Sequence, residues 1–212
     1  MSEAWDRFIY SLEEMYPGQR DRDWGIRLDT EAIQELRGEE RERALAILLD
    51  RLKIESGIRI PGGLAAIGGE RAVAALDEKL QVARRDGERI AIAEALWRLS
   101  RSATAKEIIE EGLESPDPLV AGSALDALEH LGREGIQPAL KAAALHSDAN
   151  IRYGGAMCAL FLGGVNRSAG SWEHRPLVIG IASEDLPERQ RAFAALCELL
   201  GISDSYTGPR PG

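Results

Sequence analysis

Gly87 to Gly132 reads GERIAIAEALWRLSRSATAKEIIEEGLESPDPLVAGSALDALEHLG, and this stretch decides the fold. It holds one helix–turn–helix unit followed by the first helix of the next. Ala95-Leu96-Trp97-Arg98-Leu99-Ser100 returns as Ala127-Leu128-Glu129-His130-Leu131-Gly132, thirty-two residues on. A repeat of that length, rich in alanine and leucine, marks helix pairs stacked in an array. In its first helix Ile92, Leu96 and Leu99 form the expected buried stripe. In its second, Ala105, Ile108, Ile109, Gly112 and Leu113 follow helical spacing. Ser115-Pro116-Asp117-Pro118 breaks the chain, with Asp117 placed to cap and Pro118 placed at the first helical position.

The pattern extends both ways from this unit. Upstream, Pro61 suits a helix start, Leu64-Ala65-Ala66-Ile67-Gly68 matches Ala95 to Ser100, and Glu70 to Ala83 supplies the partner helix. Downstream, Pro118 to Leu131 pairs with Glu134 to His146, a further pair starts at Ser147-Asp148, and Pro187 to Leu200 closes the series. Ahead of the array, Ser2 to Tyr16 carries an amphipathic stripe of Trp5, Phe8, Ile9, Leu12 and Tyr16. Asp29 or Thr30 can cap a short helix to Leu36, and Glu39 to Lys53 forms a longer one. The expected architecture is all-α: a right-handed α-solenoid of about five helix pairs. Its expected parts are a helical cap over 1–56, the array over 57–202 and a polar tail over 203–212.

Composition supports this. Apolar residues make up 44% of the 212 residues but aromatics only 5%, so the core is built of small aliphatic side chains suited to close helix contact. The formal charge of −9 disfavours nucleic acid and suits a basic protein partner. Cys158 and Cys197 fall in apolar helical patterns and read as buried reduced thiols, which fits a cytoplasmic setting. Met1 to Arg7 shows no signal-peptide pattern, and the uncharged run Gly154 to Asn166 is too short to span a bilayer.

Gly68-Gly69-Glu70-Arg71-Ala72-Val73-Ala74-Ala75-Leu76, Gly135-Ile136-Gln137-Pro138-Ala139-Leu140 and the recurring Ala-Leu-x-x-Leu, followed by Gly at Gly132, resemble the bacterial HEAT and HEAT-like repeat signature over roughly 58–201. The resemblance implies a curved right-handed stack, second helices on its concave side, used mainly to bind proteins. Some relatives act on bilin chromophores and some are DNA glycosylases. The layout ahead of the array, Leu28 to Leu52, also looks like small HEAT-like immunity proteins that neutralise secreted toxins.

Little in the chain points to catalysis. His130, His146 and His174 lie on three separate elements without a second ligand at metal-binding spacing. His146 sits at a helix carboxyl end, where an imidazole complements the dipole. No nucleophile elbow, P-loop or dinucleotide fingerprint occurs. Gly62-Gly63, Gly68-Gly69 and Gly163-Gly164 read as helix-end and turn glycines, and Gly154-Gly155 as a close helix contact. Trp97, the aromatic a glycosylase floor would need, reads instead as packing, and Arg84, Arg85, Arg89 and Arg98 are interrupted by acids.

Two features remain as candidate contact residues. Glu107, Glu110, Glu111 and Glu114 recur at helical spacing on a second helix, where like charges oppose the helix by about 0.2–0.5 kcal/mol per pair. They are either a solvated face neutralised by neighbouring bases or a contact stripe for a basic partner. The stretch between Leu162 and Pro176, GGVNRSAGSWEHR, breaks the repeat period and carries Trp172, His174 and Arg175. Its indole either caps the core or meets a partner. The expectation is a non-catalytic, cofactor-free and metal-free protein binder, monomeric alone or 1:1 with a basic toxin, touching neither nucleic acid nor membrane. The alternatives are a HEAT-scaffold enzyme, glycosylase or bilin lyase, and an adaptor in a regulatory complex.

Overall fold

A computed structural model describes residues 1–13, 28–55, 57–168 and 170–203. Among them there are twelve α-helices, one 3-10 segment and no strand. The protein is all-α. The chain divides into two compact units, Met1–Ile108 and Ile109–Gly212. Tyr16, the last member of the first expected stripe, and the tail from 204 lie outside the described residues.

The first unit contains α1 (Glu3–Glu13), α2 (Thr30–Glu35), α3 (Gly38–Ile54), α4 (Arg59–Ile67), α5 (Glu70–Val82), α6 (Asp86–Ser100) and the start of α7 (Ala103–Gly112). Several of these helices have a clear local reason to begin or end. Asp29 caps α2 by accepting from the Ala32 N–H at 2.8 Å, and Arg7 of α1 grips the same carboxylate with Nε and Nη2 at 3.0 and 3.1 Å. One aspartate thus starts a helix and fastens its neighbour. Gly68 ends α4 and Gly69 precedes α5 at φ +70° and +100°, values that L side chains avoid, so the tight turn needs this pair. Trp5, Phe8, Leu12, Leu48, Leu64, Leu76, Ile92 and Leu96 are buried, while Ile47 and Leu99 are only half-buried. Helices contact the next and the next but one in the series: α4 packs on α3 and α6, and α5 on α3 and α6.

One glycine pair departs from expectation. Gly62 and Gly63 sit inside α4 rather than in a turn. A Cβ at Gly63 would meet Leu28 Cδ1 at 2.6 Å and Leu48 Cδ2 at 3.2 Å, so the missing side chain admits two leucines from α3 and the segment before α2.

The second unit holds the end of α7, then α8 (Pro118–Leu128), the 3-10 segment Glu129–Gly135, α9 (Ile136–Leu145), α10 (Ala149–Leu162), α11 (Arg175–Ala182) and α12 (Leu186–Leu200). The aspartate cap expected at Asp117 is present, accepting from Leu119; Asp148, at the expected start of the next pair, accepts from Asn150 and Ile151, and Asp185 from Glu188. The helix expected to reach Leu131 tightens at Glu129 because Gly132 turns the chain at φ +61°. Gly155 lets α10 lie directly on α9: a Cβ there would fall 2.7 Å from the Ala139 carbonyl oxygen and 2.8 Å from the Ala143 nitrogen. Contacts again run to the next helix and the next but one, α10 with α8, α9, α11 and α12.

Arg152 of α10, 1% exposed, is the largest of the fully buried side chains among the described residues. Its guanidinium donates to the carbonyls of His146 and Ser147 past the end of α9, and to those of Ile181, Ala182 and Ser183 at the end of α11. Glu184 accepts at 2.6 Å. Five N–H donors are available to an arginine, and all are used. The carbonyls concerned are those a helix leaves without internal partners, at the negative end of its dipole.

Candidate functional site

The segment from Gly163 to His174 leaves α10 and enters α11. It first folds back on α10: the N–H groups of Val165 and Asn166 both donate to the Leu160 carbonyl, at 2.9 and 3.0 Å, with Gly164 at φ +75° between helix and loop. The Asn166 side chain is buried, and its Oδ1 lies 2.8 Å from His174 Nδ1. A carboxamide oxygen only accepts, so the ring nitrogen is the donor. This bond ties the two ends of the loop. Ser171 N–H bonds the Ser168 carbonyl, and Arg175 N–H bonds that of Trp172.

On this frame Trp172 stands out, 65% exposed. The Arg175 guanidinium carbon sits 4.1 Å from its ring centroid, a cation–π stack. Of the three loop residues singled out from sequence, Trp172 and Arg175 come together, and His174 holds the loop rather than its surface. Sequence reasoning misses Asn166, whose only signal is an asparagine ending an otherwise uncharged run.

The acidic residues fall differently. Glu107 and Glu111 are exposed and Glu110 half-buried on α7. Yet α7 stops at Gly112, so Glu114 stands beyond the helix in the following turn, its side chain paired with Lys141 of α9. The expected single helical face of four is therefore three residues and a turn residue, the last with a basic neighbour.

The remaining candidates have structural work. Trp97 is buried and Arg101 stacks on it at 5.0 Å. Arg98 pairs with Glu94 at 3.5 Å. His146 follows α9 at its carboxyl end, but its ring bridges two loops: Nδ1 accepts from Asp148 N–H at 3.0 Å, so Nε2 carries the hydrogen toward the Ser115 carbonyl at 3.2 Å. Cys158 and Cys197 are buried thiols. Among the described residues no group of three or more His, Cys, Asp or Glu is disposed around a metal site, and no helix is long and apolar enough to cross a membrane.

These features define an all-helical protein with an arginine–tryptophan pair displayed on the loop between α10 and α11. The chain matches no protein-family model, no curated protein and no solved structure.

Proposed function

We propose that this chain is a non-catalytic, protein-binding right-handed α-solenoid of HEAT-like helical repeats, and specifically an immunity protein that blocks a cognate basic toxin in the cytoplasm. The observation that carries the reading is Trp172: an indole 65% exposed, stacked by Arg175, on a loop outside the repeat period. Burial of that ring would be favourable, yet it stands outside the core with the Arg175 guanidinium over it. Tryptophan and arginine are the residue types that dominate binding energy at protein interfaces. The net charge of −9, with Glu107, Glu110 and Glu111 on α7, would speed capture of a basic partner.

The test uses the full chain as bait in lysate of its source organism, with Trp172→Ala beside it. A basic protein retained by wild type should bind the variant at least about tenfold more weakly, with the melting temperature unchanged to within a few degrees. Capture that ignores the substitution, or a captured protein that is acidic, would overturn the reading.

A further inference from the structure

We infer that the Trp172–Arg175 pair is a receptor for an acidic side chain, Asp or Glu, which a partner polypeptide carries beside an apolar or aromatic residue. The inference rests on the protein-binding reading above and adds the chemistry of what docks at the loop.

Arg175 uses its face on the indole, at 4.1 Å, and is exposed. It has no ion pair among the described residues. Its guanidinium N–H groups donate to no described residue. They form a fixed fork whose geometry matches the two oxygens of a carboxylate. Stacking on Trp172 holds the fork in one orientation before anything binds, which lowers the entropic cost of docking. The exposed indole beside it is apolar surface. Together the two side chains ask for a carboxylate and an apolar group within one or two residues of each other.

Local charge points the same way. The chain is acidic as a whole, but residues 163–175 hold Arg167 and Arg175 against Glu173 alone. Arg175 is also the first residue of α11, so an anion on its guanidinium lies at the positive end of that helix.

The loop behind the pair is built at a cost. Asn166 is 3% exposed, and its Nδ2 has no hydrogen-bond partner among the described residues. A buried donor left unpaired opposes folding. It is tolerated where the Oδ1 of the same residue anchors His174, and so fixes the turn that presents Trp172 and Arg175. Departures from local stability of this kind concentrate at binding sites.

The probe is an N-acetylated, C-amidated hexapeptide with a central Asp-Phe, against the same peptide with Asn-Phe. The readout is the Trp172 indole N–H resonance of the isotope-labelled full chain, identified by its loss in Trp172→Phe. The acidic peptide should move this resonance saturably and bind about tenfold tighter than the amide peptide at low salt. Arg175→Gln should abolish the difference, and Arg175→Lys, which keeps the charge but loses the fork, should recover little of it. Equal affinities for the two peptides, or no shift with either, would overturn the inference from wild-type protein alone. Such a failure would still leave capture dependent on Trp172 intact. Conversely, a saturable shift with partner capture indifferent to Trp172 would remove the immunity reading and keep the receptor.

Discussion

Arg152 shows how much one residue can settle. Replaced by Met, it would leave five carbonyls at two helix ends without their donor, and the expected loss of stability exceeds about 3 kcal/mol. Its acidic partner matters far less. The Glu184 side chain is 80% exposed, so Glu184→Gln should change stability by at most about 1 kcal/mol. Urea denaturation of both variants checks the pair; similar losses would place the energy in the ion pair instead of the carbonyls. The sequence hid this role. Asp148-x-x-x-Arg152 and Asp117-x-x-x-Ala121 occupy equivalent places after a capping aspartate, yet nothing in the spelling says that the arginine turns inward while others pair at the surface. Cys158 is a second residue-scale case. Burial first, then the nearby charges of Glu129 and Asp126, push its thiol from 9.0 up to about 12. The folded chain therefore holds this proton more tightly than the unfolded one. Its contribution is complete below about pH 9 and is lost as pH rises toward the folded value. Cys158 should resist alkylation at pH 8 in the native protein and react on unfolding; rapid native labelling would show the burial to be wrong.

Among the helices, two glycines test what close contact requires. Gly155 faces backbone atoms of α9, which cannot give way as a side chain can. Gly155→Ala should destabilise by about 1–3 kcal/mol. Gly122 lies within α8, and a methyl placed on it would meet nothing within 4 Å, so Gly122→Ala should stabilise by about 0.5–1 kcal/mol through helix propensity. Thermal melts that failed to separate the two would contradict the packing of α10 on α9. The acidic residues of α7 make a different demand. Replacing Glu107, Glu110, Glu111 and Glu114 together by Gln removes mutual repulsion along with exposed attractive contacts, among them the pair of Glu114 with Lys141. The melting temperature should hold or rise slightly, while association with a basic partner slows at low salt and recovers as screening shortens the field to about 8–10 Å. Equal rates at low salt would leave these glutamates as a solvated face. Helix limits were largely legible because Asp117-Pro118, Asp148 and Gly68-Gly69 are start and stop signals with local causes. The early end of α7 was not, because Gly112 fits a helical stripe by spacing and ends the helix only through the turn that follows.

At the scale of the molecule, all-helical structure was readable from the repeat between Gly87 and Gly132, since its apolar residues recur at helical spacing and Gly and Pro punctuate the segments. The direction of Trp172 was not readable, because an aromatic in a glycine-rich loop satisfies either the core or the surface. Arg152 has a consequence here beyond its own energy. Under the proposed solenoid reading, the units would be expected to come apart from the end inward, each giving way by itself. A guanidinium bonded at once to the carboxyl ends of α9 and α11 forbids that sequence, because α11 cannot swing away without stranding a buried cation between α9 and solvent. The carboxyl-terminal helices should therefore open as a block. In native-state hydrogen exchange, amides of α9, α10 and α11 should share one ceiling of protection, and Arg152→Met should let α11 drop below the other two. Wild-type α11 amides exchanging well ahead of α10 would show that the end frays helix by helix after all. If the block holds, the loop bearing Trp172 is slung between two members of one opening unit, and its posture lasts as long as that unit stays shut.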